Sequence, residues 1–238
     1  MGIGATLWPS GCVAYPVAYP SPAVATRLDK LARARLYFVC EAGEDPEALA
    51  RLLDGALRGG ADVIQLRDKE ANEAALLTAA PAFRAAADRH DALFILNDRP
   101  DLVAACAADG VHVGQDDAAV GPAREQAGPD AIVGLSTHAA EQMTAALSGE
   151  RPDYLSVGPV YATPTKPGRP ATGLEYVRHA AAAAGELPWF AIGGIDGGSV
   201  ADVVAAGATR IVVVRAIRDA GDPEAAACGL RAALETGG

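Results

Sequence analysis

The sequence predicts an α/β fold in which a single domain forms a closed parallel (β/α)8 barrel. Three features support this prediction: eight short apolar runs, Ala- and Leu-rich amphipathic segments between them, and a length of 238 residues. The apolar runs lack polar alternation, which is typical of strands that are buried on both faces of a parallel sheet. Barrels of this kind usually contain about 250 residues. An open doubly wound sheet is the structural alternative.

The eight strand candidates recur between residues 36 and 214. They are Leu36–Cys40, Val63–Leu66, Leu93–Leu96, Gly110–Val113, Ile132–Leu135, Tyr154–Val157, Trp189–Ile192 and Arg210–Val214. A doubly wound sheet usually carries a GxGxxG turn after its first strand. The segment from Cys40 to Asp45 reads CEAGED instead, so the closed barrel, a TIM barrel, is the preferred interpretation.

N-cap residues and prolines mark the starts of the intervening helices. Asp45 and Asp222 each precede a proline, and Asn72 is a third predicted N-cap. The other starts are predicted at Pro100-Asp101, Gly121-Pro122, Thr137 or His138, Gly173 and Gly198. Regular alternation of strands and helices requires the strands to run parallel.

The composition narrows the classes of function. Half of the chain is hydrophobic, which is enough for a large core. The formal net charge of −10 argues against a nucleic-acid partner, which needs stripes of Lys and Arg. No apolar run reaches the ~18 residues of a membrane span, so we expect no membrane partner and a cytoplasmic location. The sequence leaves the oligomeric state open, and a homo-oligomer is one state that it allows.

The first 26 residues differ from the rest of the chain. Residues 1–26 contain four prolines and no charged side chain. They lack the basic start and the unbroken apolar stretch of an export signal, which is the alternative interpretation. We therefore expect a poorly ordered N-terminal extension over residues 1–26 and a barrel-shaped catalytic domain over residues 27–238.

Basic and amide side chains follow the second strand candidate. Gln65, Arg67 and Lys69 alternate, so at strand spacing they point to the same side. Arg provides a bidentate fork and Lys a point charge, and this combination suits a diphosphate. A solvated polar strand end is the alternative. Active sites of such barrels lie at the carboxyl ends of the strands, which favours the binding site.

Carboxylates follow the third and fourth strand candidates. Asn97-Asp98-Arg99 follows the third, and Gly114-Gln115-Asp116-Asp117 follows the fourth. Two carboxylates together with ligand phosphate oxygens and water are a usual Mg²⁺ site. Each aspartate could instead be a helix N-cap. Their occurrence at neighbouring strand ends, facing a cluster of cations, favours Asp98 and Asp117 as metal ligands.

Hydroxyl groups and a third cation follow the fifth and sixth strand candidates. Ser136 can bond a phosphate or cap the next helix. Residues 158–173 form a loop that is longer than the usual ~2–6 residues, and long loops at this face are often lids. Thr163 and Thr165 can donate to a phosphate, and Lys166 can neutralise its charge. A Pro-rich insert would explain the length of the loop but not this pattern.

The last two strand candidates end in a second phosphate-binding pattern. Gly193-Gly194 follows the seventh, and Val214-Arg215 ends the eighth. Barrels often bind a phosphate through backbone N–H groups at these two strand ends. Glycine also allows the backbone to approach a ligand closely. We therefore expect a phosphate site here.

Other catalytic chemistries lack support. The chain has no GxSxG nucleophile turn. None of its three lysines, Lys30, Lys69 and Lys166, lies within an apolar strand, where a Schiff-base lysine would be desolvated. His112 lies inside the fourth strand candidate, where a core histidine and a substrate contact are equally compatible with the pattern.

Six segments together resemble the thiamine-phosphate synthase family in order and spacing. They are QLRDK (65–69), NDRPDL (97–102), DGVHVGQDD (109–117), GLSTH (134–138), GPVYATPTK (158–166) and AIGGI (191–195). The resemblance covers the chain from Arg27 to the C-terminus. It implies a transferase on a TIM barrel that joins a hydroxymethylpyrimidine diphosphate to a thiazole phosphate and releases pyrophosphate.

The resemblance also implies roles for individual residues. Mg²⁺ would be held on the diphosphate by Asp98 and Asp117, and Arg67, Lys69 and Lys166 would be catalytic. The pyrimidine diphosphate would be bound by Gln65, Arg67, Lys69, Asn97, Ser136 and Lys166. The thiazole phosphate would be surrounded by Thr163, Thr165, Gly194, Val214 and Arg215. The family commonly has a serine at the position of Arg215, which puts substrate affinity in doubt but not the type of reaction.

Two alternative functions share the same barrel. A thiazole tautomerase would need a well-placed histidine for proton transfer and no metal site. A non-catalytic sensor would bind thiamine phosphate without turnover. Asp98, Asp117 and the loop that contains Thr163 and Lys166 favour the synthase over both.

Overall fold

Eight parallel strands close into a barrel in chain order. The computed structural model describes residues 22–149, 151–163 and 170–236. The strands are β1 (Leu36–Cys40), β2 (Val63–Leu66), β3 (Leu93–Asn97), β4 (Gly110–Val113), β5 (Ile132–Thr137), β6 (Tyr154–Val157), β7 (Trp189–Ile192) and β8 (Ile211–Val213). Each strand pairs in parallel with its neighbour in sequence, and β8 pairs with β1. The predicted closed barrel is confirmed.

Helices follow the strands on the outside of the barrel. They are α1 (Pro22–Arg33), α2 (Pro46–Arg58), α3 (Glu73–Arg89), α4 (Val120–Ala127), α5 (Ala140–Ser148), α6 (Gly173–Ala183), α7 (Val200–Ala205), α8 (Arg215–Arg218) and α9 (Pro223–Glu235). A 3-10 turn over Pro100–Leu102 follows β3. The side chains of Asp45, Asn72 and Asp222 cap their helices as predicted. The sequence did not predict the short helix α8, which has four residues.

Helix α1 covers the amino end of the barrel. It begins at Pro22, before the predicted domain start at residue 27, and residues 1–21 lie outside the described part of the chain. Leu31 packs among the side chains that fill the barrel interior. Arg27 Nε lies 3.0 Å from an oxygen of Asp109, which directly precedes β4. The apolar contact and the ion pair together hold α1 at this end.

Alternate residues of each strand point into the barrel or out towards the helices. In β1, Leu36 and Phe38 belong to the outer core, whereas Tyr37 and Val39 belong to the interior. The interior set is Tyr37, Val39, Val63, Leu93, Ile95, Ile132, Tyr154, Phe190 and Val212, together with Leu31 and Ala34 from the α1 region. Side-chain alternation with a period of two thus produces two separate cores.

No helix within residues 22–149, 151–163 and 170–236 combines the length and the apolar character that crossing a bilayer requires.

The ring of Tyr154 fills interior space that a glycine on the neighbouring strand leaves open. Gly134 pairs in register with Tyr154, and a Cβ added at Gly134 would lie 2.1 Å from Tyr154 Cζ. Both residues are buried, so neither can move into solvent. The interior therefore requires a glycine at this point of β5.

We expect Gly134→Ala to lower the free energy of unfolding by ~1–3 kcal/mol, because overpacking forces the Tyr154 ring or the strand to shift. Gly229→Ala is the matched control, since the site in α9 has no atom within 4 Å of an added Cβ. An alanine in the helix should raise stability there by about 0.5–1 kcal/mol. Chemical denaturation measures both, and equal stability of the two variants would contradict the packing.

Candidate active site

A cavity of about 320 Å³ opens at the carboxyl ends of the strands. Most of the predicted site residues line it. These are Gln65, Arg67, Asn97, Ser136, Thr163, Gly194, Val214 and Arg215. They come from six strand ends that are distant in sequence, and closure of the barrel brings them together. Thr165 and Lys166 lie outside the described residues.

The two predicted metal ligands lie against each other beside Asn97. The carboxyl group of Asp98 lies close enough to that of Asp117 for the two to interact electrostatically. Lys69 Nζ lies 3.5 Å from an oxygen of Asp98. Burial, followed by the negative charge of Asp117, raises the pKa of the Asp98 carboxyl above its ordinary value, and the opposing effect of Lys69 is smaller. The site thus concentrates negative charge that one lysine only partly compensates.

Local backbone geometry places both aspartates. Asp98 has a φ of +58°, a left-handed conformation that turns the chain directly after β3. Its N–H donates to the carbonyl of His112 at 2.9 Å, which ties it to β4. Asp117 Oδ2 accepts from the N–H of Gly114 at 2.9 Å, so a short turn folds that carboxylate back over the end of β4. These contacts bring two strand ends to one point.

Two arginines line the cavity. Arg67 follows β2 and is half-buried, and Arg215 opens α8 and is exposed. Neither forms an ion pair with any residue in the described part of the chain. Both strand ends flank β1, so the cavity has two cationic positions on one side. Unpaired cations in a cavity favour anionic ligands.

Neutral polar groups form the floor of the cavity. Gln65, His112, Ser136 and Ser156 are each less than a tenth exposed, and all four line it. His112 Nε2 lies 2.9 Å from Ser136 Oγ and His112 Nδ1 lies 3.0 Å from the hydroxyl of Tyr154. His112 is therefore both a hydrogen-bonded core residue and part of the cavity wall.

Some lining residues were not predicted from the sequence. They include Tyr37, Val39, Ser156, His138, Asp196 and Asp219. Strand alternation and register could have indicated three of them. Tyr37 and Val39 alternate with outward-facing neighbours, and Ser156 pairs in register with Ser136. Asp196 and Asp219 lie in loops whose approach to the cavity depends on the closed barrel, and no local pattern indicates it.

The glycines after β7, Gly193 and Gly194, allow the loop that follows β6 to pack closely against them. The N–H groups of Val160 and Tyr161 donate to the carbonyls of Ile192 and Gly193 at 2.8 and 2.9 Å. A Cβ added at Gly193 would lie 2.5 Å from Pro159, and one at Gly194 would lie 2.7 Å from Tyr161 Cβ. Gly194 also has a φ of +66°. Close contact between the two loops is thus a further reason for these glycines, besides approach to a ligand.

A closed barrel with a cation-bearing cavity at the carboxyl ends of its strands is the architecture of an enzyme for anionic small molecules. Comparison with known proteins identifies which enzymes these are. The family model described as "Thiamine monophosphate synthase" matches residues 36–217.

Individual relatives agree with the family model. The chain is 50% identical to thiamine-phosphate synthase of Acidothermus cellulolyticus over 204 residues, which cover 86% of this chain and 96% of the relative. It is 48% identical to thiamine-phosphate synthase of Mycobacterium leprae over 226 residues, covering 89% and 94%. The structure of thiamine phosphate pyrophosphorylase from Pyrococcus furiosus matches with a TM-score of 0.77 and 31% identity, covering 89% and 98%.

The chain belongs to the thiamine monophosphate synthase family. Its function is that of a thiamine-phosphate synthase, a transferase of thiamine biosynthesis, as the family model, the relatives and the structural match together support. These comparisons do not support the tautomerase or the non-catalytic sensor.

We expect Gly194→Ala to displace the loop after β6, because the substitution combines a left-handed backbone with a clash against Tyr161. Misplacement by about 1 Å can cost ~10²-fold in rate, so kcat/KM for thiamine phosphate formation should fall by ~10-fold or more. The matched control is Gly197→Ala, where an added Cβ meets no atom within 4 Å. Equal rates in both variants would show that the contact between the loops does not matter.

Proposed function

We propose that the cavity binds a pyrimidine diphosphate and a thiazole phosphate side by side and joins them with the help of Mg²⁺. The observation that carries this proposal is a pair of arginines, Arg67 and Arg215, at two separate strand ends of one cavity, neither of them within ion-pair distance of a carboxylate in the described residues. Two phosphorylated substrates require two cationic positions. A ligand with a single phosphate would need only one.

The diphosphate is assigned to the ends of β2 and β3. Arg67, Lys69 and Asn97 offer a guanidinium fork, an ammonium group and an amide within this region. Lys69 already contacts Asp98, so its charge is held close to the aspartates. We assign Lys166, from the loop after β6, to the same diphosphate as a third cation.

Asp98 and Asp117 suit a divalent cation. Two contacting carboxylates, one of them with a raised pKa, repel each other in the absence of added positive charge. Carboxylate oxygens are the protein ligands that Mg²⁺ prefers. When bound, Mg²⁺ would supply positive charge to the diphosphate as negative charge develops on its oxygens. Asp98 and Asp117 would hold the ion, and Lys69 would remain available to the leaving group.

The thiazole phosphate is assigned to the ends of β7 and β8. Gly194 and Val214 line the cavity there, and so do Arg215 and Ala216, the first two residues of α8. Arg215, in place of the family's common serine, adds a guanidinium to this site. Thr163 lines the same cavity, and we assign Thr165 to the same phosphate.

Side chains of this protein stabilise pyrophosphate as it leaves the pyrimidine. The bond from the pyrimidine CH₂ group to oxygen breaks, and the electron pair leaves with pyrophosphate. Arg67, Lys69 and Lys166 stabilise the negative charge that develops there. The aminopyrimidine stabilises the cation that remains, and the thiazole nitrogen attacks it. The attacking nitrogen carries no proton, so no general base is required.

The direct test is formation of thiamine phosphate from both substrates, with Mg²⁺ and with the metal removed by a chelator. We expect product and pyrophosphate in equal amounts with Mg²⁺, and loss of turnover after chelation that added Mg²⁺ restores. Absence of product with both substrates and Mg²⁺ would refute the synthase. Isomerisation of the thiazole phosphate without the pyrimidine would instead indicate a tautomerase.

Variants extend the same assay to the assigned residues. Asp98→Asn and Lys69→Ala should each lower kcat by ~10²-fold or more with the fold retained, since the first removes a ligand of Mg²⁺ and the second removes a positive charge that acts on the leaving group. Lys30→Ala is the matched control, because Lys30 pairs with Asp91 on the helical surface of the barrel, at 2.6 Å. Rates like those of the unmodified protein in both site variants would refute the assignment.

A further inference from the structure

Four hydrogen bonds connect five polar side chains beneath the cavity. Gln65 Nε2 donates to the Tyr37 hydroxyl at 2.6 Å, and that hydroxyl lies 3.0 Å from the hydroxyl of Tyr154. The Tyr154 hydroxyl lies 3.0 Å from His112 Nδ1, and His112 Nε2 lies 2.9 Å from Ser136 Oγ. We call these five residues the interior chain. Both of its ends, Gln65 and Ser136, line the cavity.

The interior chain has a direction, because each hydroxyl carries one proton. The Tyr37 oxygen accepts from the Gln65 amide, and the arrangement that gives every remaining proton an acceptor is the one in which the Tyr37 proton is donated to Tyr154. The Tyr154 proton is then donated to His112 Nδ1, which must carry a lone pair. The neutral imidazole therefore carries its proton on Nε2 and donates it to Ser136. Burial raises the pKa of both phenols, which keeps these protons in place.

This direction determines what the two ends offer to a ligand. Gln65 donates through Nε2 to Tyr37, so its Oε1 is left as the acceptor. Ser136 Oγ accepts from His112 and also from Ser156, at 3.3 Å, so its own proton is left for donation. The floor of the cavity thus combines one acceptor and one donor. If every hydrogen bond of the interior chain ran in the opposite direction, Gln65 would offer a donor to the ligand and Ser136 an acceptor.

A 4-aminopyrimidine matches this arrangement. Its exocyclic amine donates, and the adjacent ring nitrogen accepts. A 4-oxopyrimidine has the opposite pattern, since its carbonyl accepts and its adjacent N–H donates. A floor of neutral groups suits the ring, whereas Arg67 and Lys69 lie where the diphosphate is assigned. A 4-oxopyrimidine would leave a donor or an acceptor of the floor buried without a hydrogen bond, which lowers its affinity.

We propose that the interior chain makes the enzyme select an aminopyrimidine over an oxopyrimidine, with Tyr154 as the positioning residue that fixes its direction. Tyr154 is fully buried and does not line the cavity, so it acts only through Tyr37 and His112. The proposal rests on the proposed function, because it identifies the ring that the floor recognises.

The test compares kcat/KM for the amino and oxo forms of the pyrimidine diphosphate, each with thiazole phosphate and Mg²⁺. The ratio of the two values cancels any general loss of activity. Tyr154→Phe should lower this ratio by ~10-fold or more, since both neighbours lose the bond that orients them. Tyr176→Phe is the matched control, because its hydroxyl donates to the Ala139 carbonyl, at 2.9 Å, and Tyr176 does not line the cavity. That variant should keep the ratio within about 2-fold of the unmodified protein.

The protonation of His112 in the unmodified protein is a second test of the proposal. In protein labelled with ¹⁵N-histidine, the chemical shifts of His112 should report a proton on Nε2 and none on Nδ1. A His112→Gln variant assigns the signal among the four histidines of the chain. A proton on Nδ1, or an unchanged ratio in Tyr154→Phe, would overturn the interior chain while product formation leaves the proposed function intact. No product from the amino substrate in the unmodified protein would refute the proposed function itself.

Discussion

Closure of a parallel barrel imposes one constraint on which the rest of this structure depends: alternate side chains must share a narrow interior. Each polar residue that points inward must find its partner there, because an unpaired polar group in a low-dielectric interior costs several kcal/mol. The interior is apolar from α1 to the amino ends of β2 and β3, where Val63 and Leu93 lie. Towards the carboxyl ends it becomes polar, and Gln65, His112 and Ser136 find their hydrogen-bond partners within the interior.

The two ends of the barrel therefore have different roles. At the amino end, aspartates precede β2, β4 and β6: Asp62, Asp109 and Asp153. They accept from the N–H groups of Leu36, Phe94 and Val133 at 3.0, 2.9 and 2.7 Å, respectively. They also pair with Arg231, Arg84 and Arg124. Their charges are thus compensated within the fold. At the carboxyl end, Arg67 and Arg215 form no ion pair within the residues that the structure describes, so that end can bind anions.

Much of this organisation was predictable from the sequence. All eight strands lie where buried apolar runs predicted them, and Asp45, Asn72 and Asp222 cap their helices as expected. These features depend on local chemistry. The eighth strand is shorter than predicted, Ile211–Val213 instead of Arg210–Val214, because the chain turns directly into α8. The sequence pattern of α8 is too short to be distinguished from a strand end.

Other features could not be predicted because they depend on contacts between distant segments. The contact of Asp98 with Asp117 needs both the left-handed turn at Asp98 and the fold-back of Asp117 onto Gly114. The sequence left His112 open between a core role and a substrate contact, and in the structure it is hydrogen-bonded to Ser136 and also lines the cavity. Tyr154 was predicted only as part of a strand. Its role in orienting the interior chain follows from Tyr37, which lies 117 residues away in sequence.

In the proposed function, the cavity has a cationic region for the phosphate groups and a separate neutral floor for the ring. Calorimetric titration with inorganic pyrophosphate and Mg²⁺ tests this separation most directly, since pyrophosphate has no ring. Arg67→Ala should weaken pyrophosphate binding by ~10-fold or more, whereas Ser136→Ala should leave it unchanged, because only the first removes a charged hydrogen bond to the anion. Equal losses in the two variants, or unchanged binding in Arg67→Ala, would contradict the separation.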